Sequence, residues 1–82
     1  MNDERLVQQF WDRNEDAITG SRRQYGSYCL YIAENILHNR EDSEECLNDA
    51  LLAAWESIPP QRPENLKTYL GKLIREIGRA HV

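Results

Sequence analysis

The sequence has almost no strand signal, for no run of alternating Val, Ile or Thr occurs and the apolar residues recur at spacings of three and four. That pattern excludes a β fold and predicts an all-α domain. Long apolar runs are missing too. The longest uncharged apolar stretch, Tyr28 to Ala33, falls far short of the roughly 20 residues that cross a bilayer. The opening Met1-Asn2-Asp3-Glu4-Arg5 lacks the basic and apolar regions of a signal peptide, so a cytoplasmic location is expected. Cysteine is scarce: Cys29 and Cys46 form no CxxC pair and fall inside helical patterns, which predicts reduced thiols acting as small hydrophobes. Histidine is equally sparse, and neither His38 nor His81 is spaced with another ligand. There is no glycine-rich phosphate loop and no nucleophile motif around a serine or cysteine. The expectation is therefore no catalytic residue, no metal and no cofactor.

What is present fits one small folded domain. The chain has 82 residues, of which 40% are hydrophobic and 29% charged, enough apolar material for a core and too much for a disordered tail. Its net charge of −4 is unevenly spread. Residues 1–60 carry 12 acids and 5 bases, a net of −7, whereas residues 61–82 carry 5 bases and 2 acids, a net of +3. A basic segment on an acidic body suits a nucleic-acid contact, although five bases also occur on an ordinary solvated helix face.

Four helices are predicted. The first, about Glu4 to Asp12, sets Leu6, Val7, Phe10 and Trp11 on one stripe. The second starts near Asn14, a good N-cap ahead of Glu15 and Asp16, and runs to about His38; its seam is Ile18, Ser21, Tyr25, Tyr28, Cys29, Ile32 and Ile36. Gly20 or Gly26 is a place for it to bend. The third is expected over Ser43 to Ser57, because Asp42 followed by Glu45 resembles a capping box; Leu47, Ala50, Leu51 and Ala54 point inward, with Ile58 beyond and Trp55 closing the core. Pro59-Pro60-Gln61-Arg62-Pro63 makes a stiff loop, since proline lacks the N–H and restricts the residue before it. The fourth starts near Asn65, with Leu66, Tyr69, Leu70, Leu73 and Ile74 inward and Lys67, Lys72 and Arg75 free to face water or phosphate.

The outer face of the third helix carries its own pattern. Glu45, Asn48, Asp49, Leu52 and Glu56 recur at three and four, away from the inward seam, and strand one leucine among acids. This suits a basic helical partner; a solvated face with one exposed leucine is the plainer alternative. The cluster Glu41, Asp42, Glu44, Glu45 and Asp49 lacks the calcium-loop pattern and is explained by a helix start plus a solvated face.

The stretch EDSEECLNDALLAAWESIPPQRPENLKTYLGKLIR resembles region 2 of bacterial RNA polymerase sigma factors of the extracytoplasmic-function type. Its features fall on Asp42 to Glu45, Asn48-Asp49, Leu51-Leu52, Ala54-Trp55, Tyr69-Leu70 and Lys72-Leu73. FWDRNEDAI and YGSYCLYIAENIL look like the first helices of the same domain, so the resemblance spans residues 5–75. It implies a small orthogonal bundle of about four helices, over residues 1–76, that binds the polymerase core and promoter DNA and is not an enzyme. By resemblance, Glu45, Asn48, Asp49 and Leu52 meet the basic clamp helices of the polymerase's largest subunit. Gln61, Arg62, Asn65, Lys67, Tyr69, Lys72 and Arg75 meet the non-template strand of the −10 element; Tyr69 is suited to core packing or to base stacking. An anti-sigma factor is a further partner of such proteins.

There are departures from the family pattern. Asn48-Asp49 stands where Gln-Glu is more usual, and Ala53 where a basic residue often sits. The family's later basic stretch and its −35-binding domain are not among these residues. One reverse translation of Ile77 to Val82 plus a stop, ATC GGA AGA GCA CAC GTC TGA, matches a common sequencing-library adapter, so residues 77–82 are expected to be a non-native tail. From a different class, a helical interaction module that binds a basic partner without touching DNA accounts for the acidic face equally well, and a small hydrolase finds no visible pocket in the sequence.

Overall fold

The computed structural model describes residues 2–81, and these form four helices in sequence order: α1 (Asp3–Trp11), α2 (Asp16–Leu37), α3 (Arg40–Ser57) and α4 (Leu66–His81). Among the described residues there is no strand, as the spacing of apolar residues predicts. Helices α2, α3 and α4 pack on one another, and α1 lies against α2 and the start of α4. The core is one cluster: Leu6, Val7 and Phe10 from α1; Ala17, Cys29, Ile32 and Ala33 from α2; Cys46, Leu47, Ala50, Leu51 and Ala54 from α3; Leu66, Leu70 and Ile74 from α4. Ile58, fully buried just after α3, plugs the bundle beneath the loop. Among the described residues no helix is long and apolar enough to cross a membrane.

Local chemistry explains where each helix starts. Asn2 caps α1 by accepting from the Arg5 N–H at 2.8 Å. Asn14 accepts from the Asp16 N–H at 3.0 Å, and α2 then runs unbroken through Gly20 and Gly26 to Leu37. Gly26 is buried inside α2 facing Leu47 of α3, its would-be Cβ 3.9 Å from a Leu47 methyl at ordinary contact distance, and it does not break the helix. His38 takes the left-handed conformation at φ 53 and ends α2.

The start of α3 differs from expectation. It begins at Arg40, not Ser43, because Asn39 is extended and its side chain accepts from the Asp42 N–H at 2.9 Å. Asn39 is as good an N-cap as Asp42, and it comes first, leaving Asp42 in the first turn where a carboxylate suits the helix dipole. The α2–α3 connection is thereby shortened to His38 and Asn39.

Cys29 and Cys46 are free and buried, side by side with the core leucines. Burial pushes the Cys29 thiol up to about 11, and the neighbouring Cys46 adds to the rise. In the unfolded chain the same thiol ionises near its ordinary value, about 8.5. The raised native pKa therefore favours the fold below about pH 9 and loses that contribution as pH climbs towards 11. Urea titrations from pH 8 to 11 should show the stability of Cys29→Ala declining less steeply with pH than that of the parent, and iodoacetamide should label the native thiols at pH 8 far more slowly than the denatured ones; equal slopes and equal labelling would refute the assignment.

Candidate functional site

The loop between α3 and α4 contains Pro59, Pro60 and Pro63, so it has few N–H groups with which to fix itself. The Ile58–Pro59 and Pro59–Pro60 bonds are both cis. One turn bond, from the Gln61 N–H to the Ser57 carbonyl at 2.8 Å, is the loop's own, and the other contacts that hold it come from outside. Trp11 donates its indole N–H to the Gln61 carbonyl at 3.1 Å. Arg62 donates to the Gln8 side-chain oxygen at 2.8 Å and lies over the Trp11 ring, 5.4 Å from its centroid. At the loop's end, Asp3 accepts from the Leu66 N–H at 2.9 Å with one carboxylate oxygen and from the Tyr25 hydroxyl with the other. The first turn of α1 thus caps the first turn of α4. Burial, then Asp3, raises the Tyr25 pKa above its ordinary value.

The loop's beginning is held by Arg13. Its guanidinium donates to the carbonyls of Trp55 at 2.8 Å and Ile58 at 2.9 Å and lies 3.8 Å above the centre of the Trp55 ring. Those carbonyls belong to the end of α3, where unpaired acceptors and a negative dipole favour a cation. Arg13 reaches them from a left-handed backbone at φ 57, a conformation costing a non-glycine residue about 1–2 kcal/mol. Two charge-assisted hydrogen bonds at roughly 1.5–3 kcal/mol each outweigh that cost.

The residues expected to face DNA divide into distinct groups. Lys72 and Arg75 are exposed on α4, and neither makes an ion pair among the described residues. The Lys67 ammonium sits 4.6 Å from the centre of the Tyr28 ring on α2. Arg62 is occupied by Gln8 and Trp11, and Gln61 contributes its carbonyl to the loop's anchor while its side chain is exposed. Tyr69 is half-buried with its hydroxyl 2.7 Å from the Ser57 hydroxyl, which favours packing over stacking. Asn65 caps α4, accepting from the Thr68 N–H at 3.0 Å.

On α3, Glu45, Asn48 and Asp49 are exposed, and Leu52 is 54% accessible despite its size. Asn48 is tethered, since its side-chain oxygen accepts from Arg22 of α2. Asp42, Glu45 and His81 bring three possible ligand atoms within 4.8 Å of one another, a juxtaposition that spacing along the chain does not reveal. Glu45 and His81 are exposed, and Asp42 already suits the first turn of α3, so nothing here singles out a metal. The Gln8, Trp11 and Arg13 contacts were likewise missed in the sequence. The α1 periodicity places Trp11 on one stripe with Leu6, Val7 and Phe10, yet it is 37% exposed and turned to the loop.

A family model for sigma-70 region 2 matches residues 22–78, more than two thirds of the chain. The chain belongs to the sigma-70 region 2 family. No curated protein and no solved structure matches it. The match runs from within α2 through α3 and the loop to Gly78 of α4, so it takes in both the acidic face and the basic helix, and it leaves α1 outside. A sigma region 2 domain serves transcription initiation as a non-enzymatic module that works with the polymerase core and promoter DNA.

The capping role of Asn65 in this sigma domain makes a prediction. Asn65→Ala should lower stability by about 1 kcal/mol, and Asn65→Asp should retain it, since aspartate also caps. Urea denaturation of both variants checks this, and an unchanged midpoint in Asn65→Ala would remove the cap from the account.

Proposed function

We propose that this sigma region 2 domain docks on the basic clamp helices of the polymerase's largest subunit through Glu45, Asn48, Asp49 and Leu52, and meets the non-template strand of the promoter −10 element through the loop and α4. The observation that carries the docking half is Leu52, a large apolar side chain left half-open on a face whose neighbours are carboxylates and an amide. Apolar contact at the centre of a charged rim is how a helical partner of opposite sign is recognised. For DNA, Lys72 and Arg75 supply cations with no carboxylate partner among the described residues, and the loop that leads to them is held rigid by α1. Gln61 and the free amide nitrogen of Asn65 offer donors for base edges in the loop, and Lys67 and Tyr69 follow them in the first turn of α4. Arg62 serves this reading by fixing the loop from below unless the strand displaces it from Gln8.

The docking half is tested by charge reversal. Asp49→Lys and Glu45→Lys should each weaken binding to core polymerase by about tenfold, read by a competition assay, while circular dichroism stays unchanged because both side chains are exposed. Undiminished affinity would overturn the assignment, and a loss of helical signal would make these residues structural. The DNA half is tested by salt. Anisotropy titrations of a −10-like single strand should show Lys72→Ala and Arg75→Ala each flattening the log–log salt slope by about 0.7. Unchanged affinity and slope in the double variant would leave a protein-interaction module as the better reading.

A further inference from the structure

The contacts that reach the loop from α1 and its following turn differ in what they grip. Trp11 bonds the Gln61 carbonyl, Asp3 the Leu66 N–H and Arg13 the carbonyls of Trp55 and Ile58, so each of these fixes main chain. Gln8 grips a side chain. Its amide oxygen accepts from one terminal nitrogen of Arg62 at 2.8 Å, and no backbone atom of the loop takes part in that bond. The path of the loop is therefore set without Gln8, and what this contact settles is where the Arg62 guanidinium lies.

Gln8 is itself held. Its amide nitrogen donates to the Asp12 carboxylate at 3.0 Å, one turn further along, which leaves the amide oxygen turned to Arg62. Asp12, Gln8 and Arg62 thus form a chain from carboxylate through amide to guanidinium, with the Trp11 ring under the cation at 5.4 Å. All four side chains are exposed. Glu4 and Glu64 line the same cleft as Arg62, yet neither forms an ion pair with it, so the acceptor that holds this cation is a neutral one. A guanidinium bonds a charged acceptor such as a phosphate oxygen about twice as strongly as a neutral acceptor. Exchange of Gln8 for phosphate is then favoured once a strand is at hand, and without a strand the guanidinium stays folded on α1. The geometry points to an autoinhibitory latch: Gln8, oriented by Asp12 and assisted by Trp11, withholds Arg62, and a single strand must break the Gln8 bond to engage it. This rests on the DNA half of the proposed function and adds a control to it. The three withholding residues precede position 22, where the family match begins. A protein whose contact group is free in only a fraction of molecules binds with its affinity lowered by that fraction, so opening the latch tightens binding.

The test measures binding of the 82-residue chain to a fluorescein-labelled −10-like single strand by anisotropy. Gln8→Ala should tighten binding about threefold, the scale of one exposed polar contact, and leave the salt slope as in the parent, because Arg62 reaches a phosphate in both complexes. Gln8→Met, which keeps the length and helix preference of glutamine without the acceptor, should do the same. Both gains should vanish in the Arg62→Ala background, a result that a general loosening of α1 would not give. Helical signal and thermal midpoint should match the parent's, since Gln8 is exposed. If Gln8→Ala and Gln8→Met bind no more tightly than the parent while Lys72→Ala still weakens binding, the latch is wrong and the DNA reading stands. Tightening that persists without Arg62 overturns the latch as well. If the parent binds no single strand, or Lys72→Ala, Arg62→Ala and Gln8→Ala all bind as the parent does, the DNA reading fails and the latch fails with it.

Discussion

A loop that lacks N–H groups at Pro59, Pro60 and Pro63 has little hydrogen bonding of its own beyond the Gln61 N–H to the Ser57 carbonyl, and the arrangement of this domain follows from that constraint. Order is imported from α1 and the turn after it. Trp11, Gln8, Asp3 and Arg13 each reach a different point between Trp55 and Leu66. A nine-residue helix is marginal by itself in water, so α1 persists by burying Leu6, Val7 and Phe10 in the same core the loop closes over. Loop and α1 are thus mutually dependent. Ile58, fully buried between them, couples the loop's position to core packing, and Arg13 ties that position to the end of α3.

Electrostatics divides the surface along the same lines. Carboxylates gather at the starts of α1 and α3, where the helix dipole favours them, and cations gather on α4. Where the acids meet bases they form exposed pairs, as with Arg40 between Glu34 and Glu44, and such pairs contribute little to stability. The unpaired remainder carries more meaning. It leaves one acidic face centred on Leu52 and one basic helix beside the loop, each able to attract a partner of opposite sign without disturbing the core.

The sigma-70 region 2 match takes in α3, the loop and most of α4 but not the whole of the packed domain. The match begins within α2 and so omits α1, which makes the contacts that hold the loop. A domain can thus carry its recognisable residues on one set of helices while a neighbouring helix decides whether those residues are held in place.

Much of the fold was legible in the chain because periodicity is a local property. Spacings of three and four determined the four helices and nearly all of the core, from Leu6 and Phe10 to Leu70 and Ile74; the prolines determined where α3 must stop. Exposure of Glu45, Asp49, Leu52, Lys72 and Arg75 followed from the same periodicity. Boundaries were less legible: Asn39 and Asp42 are both competent caps, and the earlier one, extended and bonded to the Asp42 N–H, starts the helix. Polar partners across elements were not legible at all. That Trp11 serves the loop, that Arg62 is held by Gln8, that Asp3 caps a helix 63 residues away and that Lys67 rests on Tyr28 depend on contacts far apart in sequence, which no local pattern encodes. Side-chain spacing settled which face each residue occupies, and tertiary packing alone decided which charge meets which partner, because hydrogen bonds and ion pairs act over only a few ångströms in space.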